Sequence, residues 1–72
     1  MRYQNIASRL YILRVCNDYS CEFISKYLSI SISDYQNIES DELEITIDQL
    51  IKLSILYNVS VHSILFRNHF ES

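Results

Sequence analysis

Apolar residues recur along the first part of the chain at the spacing of one helix face. The positions i, i+4 and i+7 are held by Ile6, Leu10 and Leu13. This spacing predicts a helix over residues 5–16, which the polar pair at 17–18 interrupts. Ser20 is a suitable N-cap for a second helix, because its hydroxyl can accept a hydrogen bond from a backbone N–H of the first turn. The apolar side of that helix would be formed by Phe23, Ile24, Tyr27 and Leu28.

Residues 29–33 allow two interpretations. Serine and isoleucine alternate strictly there, which is typical of a β-strand, and only residues 44–47 offer a similar pattern for pairing. If Ser31 is instead an N-cap, it opens a third helix over residues 32–39, with Tyr35 and Ile38 facing inward. We favour the helix, since a lone strand among helices would lack a clear partner.

The second half of the chain shows the same pattern of N-cap residues followed by apolar helix faces. A polar stretch over residues 40–44 precedes Thr46, which is placed to cap a fourth helix. Asn58 would end that helix, because asparagine tolerates the left-handed conformation, and Ser60 would cap a fifth helix. The pattern therefore predicts an all-α chain of five short helices forming one domain over residues 1–72.

Composition supports helices and bounds the function. The chain has no glycine and no proline, which excludes collagen and glycine-rich phosphate loops and disfavours tight hairpins. Apolar residues make up 49% of the chain and charged residues 21%, too apolar a mixture for disorder. No apolar run reaches the ~18 residues that would span a bilayer, so we expect no membrane partner. The net charge of −3 argues against binding polyanions in general.

The residues that could carry chemistry have unsuitable spacings. Cys16 and Cys21 have no histidine near them, and His62 and His69 lie seven apart, so neither pair matches a zinc site. Two cysteines are too few for a disulfide scaffold, and a reduced cytoplasm is the expected location. We interpret Cys16 as a small core residue. We expect no metal, no cofactor and no enzymatic activity.

The order of helices, with a three-residue turn between the second and the third, resembles the phage-repressor/Cro-type helix-turn-helix family (xenobiotic-response-element-like). The similarity runs from about residue 9 to residue 65, and its most specific segment is Asn58-Val59-Ser60, where the family usually has Gly-Val-Ser. The resemblance implies a compact five-helix bundle, with the helix-turn-helix at about residues 20–39. It also implies a small transcription regulator that binds double-stranded DNA as a homodimer.

In this family the third helix enters the major groove and its first residues reach the base edges. The resemblance therefore implies a set of reading positions formed by Ser31, Ile32, Ser33, Gln36 and Asn37, with support from Cys21. It further implies a structural ion pair between Arg14 and Glu39. In relatives the fifth helix often forms the dimer contact. Here the same surface, whether it contacts a second copy or another partner, would consist of Val61, Ile64, Leu65 and Phe66.

Residues 39–48 depart from the family. Relatives often contact phosphates there with lysine or arginine, whereas this chain has five carboxylates and no base: Glu39, Asp41, Glu42, Glu44 and Asp48. Because phosphate contacts normally supply affinity, these acids oppose DNA binding. Together with the apolar Ile32 and Phe23, they leave an alternative open. The chain could be a degenerate helix-turn-helix that pairs with or antagonises another regulatory protein without binding DNA.

The resemblance also gives the missing glycines definite positions. Relatives often have glycine where this chain has Asp18, Ser29, Asp41 and Asn58. Aspartate and asparagine are the residues best able to replace glycine at positive φ, so the family's turns can be kept. Serine is a less comfortable replacement, and we expect backbone strain at Ser29.

Overall fold

The computed structural model describes residues 6–66 of the chain, which contain five helices and no strand. The elements are α1 (Ile6–Cys16), α2 (Cys21–Leu28), α3 (Ile32–Glu39), α4 (Ile47–Tyr57) and α5 (Val61–Leu65). The all-α prediction is therefore confirmed. Residues 29–33 do not form a strand, because the hydroxyl of Ser31 caps α3 by accepting a hydrogen bond from the N–H of Asp34. Residue 5, where the pattern placed the start of the first helix, lies outside the described residues.

Each of the last four helices begins at a hydroxyl side chain that the sequence pattern had identified. The hydroxyls of Ser20, Ser31, Thr46 and Ser60 accept hydrogen bonds from the backbone N–H three residues later. Thr46 forms a reciprocal capping box, in which the side chain of Gln49 also accepts from the Thr46 N–H at 2.9 Å. The start of each of these helices is thus fixed by contacts within four residues.

The ends of the first four helices share one geometry. The first or second residue after each helix has a left-handed backbone, with φ of 60° at Asp18, 60° at Ser29, 66° at Asp41 and 56° at Asn58. In each case its N–H and the next N–H turn back to carbonyls of the last helical turn, as in Ser29 to Lys26 at 3.1 Å and Ile30 to Ser25 at 2.9 Å. This is the Schellman motif, which glycine usually completes. All four positions assigned to lost glycines adopt positive φ.

One core joins the five helices. It consists of Leu10, Ile24, Leu28, Tyr35, Ile38, Leu50, Leu53, Tyr57 and Ile64. Helix α3 packs on α1 and α2, while α5 packs on α1 and α4. Ser25 is 3% exposed, and its small side chain, which donates to the carbonyl of Glu22, allows α2 to approach its neighbours closely. None of the helices within residues 6–66 has the length and apolar character to cross a membrane.

Cys16 does not belong to this core. The pattern placed it inside as a small apolar residue, but its side chain is exposed at the end of α1. The reason is that α1 has apolar residues on its outer side as well, including Tyr11, Ile12 and Val15, all of which are exposed. The spacing of Ile6, Leu10 and Leu13 identified the side of α1 that packs on the core, but it did not show that Cys16 lies outside it.

Candidate nucleic-acid interface

The inner side of α3 is fixed by buried groups. Tyr35 is fully buried and Ile38 is 3% exposed. The hydroxyl of Tyr35 donates a hydrogen bond of 2.5 Å to Oε2 of Glu39, one turn later in the same helix. These contacts hold α3 from its first turn to its last residue, so the packing of its inner side fixes the orientation of its outer side.

Arg14 of α1 holds the end of α3 through the predicted ion pair. Its Nε donates to Oε2 of Glu39 at 2.8 Å and its Nη2 donates to Oε1 at 3.1 Å, a bidentate arrangement. Its Nη1 donates to the carbonyl of Tyr19 at 3.0 Å, which ties the α1–α2 turn to the same centre. The side chains of Arg14 and Glu39 are only 14% and 10% exposed, so water could not replace either partner if the other were removed.

This centre shifts the protonation equilibria of the groups around it. The hydrogen bonds from Arg14 to Glu39 raise the pKa of the guanidinium above its ordinary value, so Arg14 stays charged. Burial, followed by the hydrogen bond to Glu39, raises the pKa of Tyr35 far above that of a free tyrosine, because ionisation would place a second anion beside the carboxylate. Burial, followed by the charge of Glu39, also raises the pKa of Tyr57.

The outer side of α3 has the opposite character. Ile32 is 42% exposed, and Ser33, Gln36 and Asn37 are also exposed. Within residues 6–66, the side-chain amides of Gln36 and Asn37 make no hydrogen bond. Each amide therefore has two N–H donors and one oxygen acceptor that are available to a ligand approaching this side.

The remaining two predicted positions contribute differently. The hydroxyl of Ser31 is occupied in capping α3 by the bond from Asp34 at 3.0 Å. Cys21, at the start of α2, is partly buried and packs against the core, so it offers a ligand less surface than the resemblance implied. The candidate interface is consequently concentrated on α3 itself.

The turn that joins α2 to α3 places this side relative to the core. Ser29 has φ 60° and ψ 42°, and the following Ile30 packs against the core. The left-handed backbone at a serine has a conformational cost that glycine would not have. The expected strain at Ser29 is thus located in the turn that orients the two helices.

The acids near this surface divide into two groups. Glu39 is neutralised by Arg14, whereas Asp41, Glu42, Glu44 and Asp48 are exposed. We call these four residues the acidic segment. They follow α3 directly and extend into the first turn of α4, where an acid is favoured by the helix dipole.

The cations of residues 6–66 are partly used within the fold. Arg9 donates through Nε to the carbonyl of Ile64 at 2.5 Å and through Nη2 to that of Leu65 at 2.6 Å, at the end of α5. Arg14 is held by Glu39. Lys26 and Lys52 remain exposed. The sequence pattern gave no signal for the role of Arg9, because its acceptors lie 55 and 56 residues away.

The fifth helix does not present the predicted dimer surface. Ile64 is 1% exposed and belongs to the core, so it cannot contact another molecule. Val61 and Leu65 are partly buried, and Leu65 packs against the core. Phe66 alone of these four is well exposed, at 47%, beside the ring of His62 at 5.0 Å. The helix is too short to bury one side in the core and keep a second apolar side.

Residues 6–66 hold no group of three or more His, Cys, Asp or Glu side chains that could bind a metal ion. His69, the second member of the histidine pair, lies outside the described residues. What the site offers is an exposed helix side with uncharged polar groups, together with the exposed Asp34 of the first turn and the exposed acids that follow α3. Phe23 of α2 is 43% exposed and stacks on Tyr19 at 4.7 Å. Comparison of the chain with protein-family models, with curated proteins and with solved structures gives no match.

Proposed function

We propose that this chain is a small helix-turn-helix transcription regulator that binds double-stranded DNA through α3. The observation that supports this most is the contrast on α3 itself: its inner side is anchored by Tyr35 and by the Arg14–Glu39 pair, while the amides of Gln36 and Asn37 lie exposed without an internal partner. A rigid helix with unengaged amides is what base recognition in the major groove requires.

The side chains on this surface fit particular base edges. The amides of Gln36 and Asn37 can each pair in a bidentate manner with N6 and N7 of adenine. Ser33 can donate or accept, and the side chain of Ile32 can contact the methyl group of thymine. We therefore expect a site rich in A·T pairs at the positions that α3 contacts.

The acidic segment limits the affinity. With Arg9 and Arg14 engaged inside the fold, Lys26 and Lys52 are the described side-chain cations left for phosphates. Two phosphate contacts at most give a salt slope no steeper than about −2 per chain, so affinity should fall by no more than roughly tenfold between 50 and 200 mM salt. Binding should be weak on random DNA and depend strongly on the base contacts.

Fluorescence anisotropy with random duplex DNA at ~50 and ~200 mM salt tests this proposal. We expect binding at the lower salt concentration, a loss of no more than roughly tenfold at the higher one, and a slope smaller by about one unit in Lys26→Ala. Ser8→Ala, at an exposed polar position of α1, is the control that should leave the slope unchanged. Absence of binding at ~50 mM salt would contradict the proposal.

A second function, contact with another regulatory protein, is favoured by one specific observation. Ile32 and Phe23 are 42% and 43% exposed, in a chain whose acidic segment repels DNA phosphates. The double change Glu42→Lys with Glu44→Lys separates the two functions. If α3 binds DNA, removing this repulsion should strengthen binding to random duplex. If the chain is instead a protein-interaction module, the double variant should remain a poor DNA binder.

A further inference from the structure

The outward side of α4 carries a row of three isoleucines. Ile47, Ile51 and Ile55 are 61%, 45% and 69% exposed. Their spacing of four residues places them one above another, as a ridge along the helix. The opposite side of α4 is buried in the core through Leu50, Leu53 and Tyr57, so α4 is apolar on two sides.

We propose that this row is the contact between two copies of the chain, which pack α4 against α4 in antiparallel orientation about a two-fold axis at Ile51. Ridges of i±4 spacing interdigitate with ridges of the same kind in the commonest class of helix packing, so the row is complementary to itself. In this arrangement the two copies of Ile51 lie side by side across the axis, each in the groove next to the other's ridge. Ile47 then faces the region of Ile55 of the second copy.

The charges beside the row favour a second copy over another partner. Asp48 and Lys52 are exposed, lie one turn apart, and flank Ile51 on the same side. Because the two-fold axis keeps that flank of both helices together, Asp48 of each copy lies beside Lys52 of the other. A basic partner helix would instead oppose Lys52, and an acidic one would oppose Asp48.

The rest of the acidic segment is also compatible with this arrangement. Glu42 and Glu44 precede α4, so antiparallel packing places them at the far end of the second copy's helix. The acids of the two copies are thereby kept apart. That end of α4 closes at Asn58 and Ser60, which are neutral hydrogen-bonding residues.

The size of the row indicates a weak dimer. Apolar patches of a few hundred Å² mark functional surfaces on small proteins, whereas a standard stable interface buries about 800 Å² on each partner. The isoleucine row thus forms the centre of a modest contact. Its β-branched side chains have little rotamer freedom to lose, and we expect dissociation in the micromolar range.

The outer side of α1 provides a matched comparison. It exposes Tyr11, Ile12 and Val15, but the charged residues of α1 are the two arginines Arg9 and Arg14. The guanidinium of Arg14 lies 5.5 Å from the centre of the Tyr11 ring. A second copy would therefore find no complementary charge on α1, and Ile12, which is 49% exposed, can serve as a control for Ile51.

Sedimentation equilibrium of the full chain without DNA tests the proposal, so its outcome does not depend on the proposed function. Between ~5 and ~500 µM we expect a monomer–dimer equilibrium. Ile51→Lys should weaken it at least about tenfold, because two like charges then meet at the axis. Ile12→Lys should leave it unchanged, with circular dichroism verifying that both variants keep their helices. A chain that stays monomeric, or one that both variants affect equally, would overturn the proposal.

A mixing experiment tests the antiparallel register. Asp48→Lys and Lys52→Asp should each weaken self-association, because each variant opposes like charges across the axis. An equimolar mixture of the two should associate more strongly than either alone, since every charge then meets its opposite. If the mixture associates no better than the separate variants, the antiparallel contact is wrong.

Discussion

The two sides of α3 differ in whether their polar groups have partners. On the inner side, the hydroxyl of Tyr35 and both carboxylate oxygens of Glu39 are bonded within the fold. On the outer side, the amides of Gln36 and Asn37 face outward with no bond inside residues 6–66. An eight-residue helix thus has one side bonded within the fold and one side open to a ligand, and a change on the outer side should leave stability intact.

The largest effect on stability should come from removing a contact on the inner side of α3. Arg14→Ala removes one member of a pair whose side chains are 14% and 10% exposed, leaving the carboxylate of Glu39 without a cation. Removing one partner of a buried pair typically costs about 3–5 kcal/mol. Urea unfolding followed by circular dichroism measures this loss.

The control for that change is Lys26→Ala, which removes a cation from an exposed position. It should alter the free energy of unfolding by less than ~0.5 kcal/mol. An Arg14→Ala loss below ~1 kcal/mol would show that the pair does not anchor α3.

The two buried tyrosines sharpen the comparison, since only one has a partner. The hydroxyl of Tyr35 bonds to Glu39, whereas the buried hydroxyl of Tyr57 has no hydrogen-bond partner within residues 6–66. Tyr35→Phe should cost about 1.5–3 kcal/mol, as expected for a bond to a charged acceptor. Tyr57→Phe should be neutral or stabilise by about 1 kcal/mol, because an unsatisfied buried group is removed. Equal losses in urea unfolding would contradict this account.

High pH should weaken the same centre. The pKa of Tyr35 and that of Tyr57 are raised by burial above the ordinary value of about 10 that applies in the unfolded chain. Above that pH the unfolded state releases protons that the folded state keeps, so stability is fully present below pH ~10 and falls as pH rises beyond it. The urea midpoint should drop between pH ~9 and pH ~11, and less so in Tyr57→Phe. An identical drop in that variant would exclude Tyr57 as a source.

A smaller gain should follow from relieving the turn before α3. Ser29→Gly keeps φ near 60° without the steric cost of a side chain and should stabilise the fold by about 1 kcal/mol. Asn58→Gly, at the equivalent end of α4 with φ 56°, should gain less, because asparagine tolerates this conformation better. Thermal unfolding of both variants measures the difference, and a larger gain at residue 58 would refute the assignment of strain to Ser29.

Features that depend on neighbouring residues were predictable from the sequence. Caps at Ser20, Ser31, Thr46 and Ser60 follow from hydrogen bonds within one helical turn. The exposure of Gln36 and Asn37 follows from the burial of Tyr35 and Ile38 on the other side of α3. The left-handed backbone at Asn58 followed from the local pattern, whereas the left-handed positions at Asp18, Ser29 and Asp41 came from the resemblance.

Features that depend on tertiary packing were not predictable. Helix α1 is apolar on more than one side, so the sequence could not decide that Cys16 faces outward. Ile64 was assigned to a dimer surface by the resemblance, whereas the structure buries it in the core at 1% exposure. Bonds between distant residues, such as those from Arg9 to the end of α5, leave no trace in a single sequence.

Selection of DNA from a randomised duplex pool tests the division of α3 most directly. The wild-type chain should enrich a preferred sequence at ~50 mM salt, and Gln36→Ala with Asn37→Ala should abolish the preference, at a cost of about 1–3 kcal/mol per lost base contact. The same double variant should unfold within ~0.5 kcal/mol of wild type, because both amides lie outside the internal hydrogen-bond network. Enrichment of the same sequence by the double variant, or none by the wild type, would contradict the assignment of recognition to the outer side of α3.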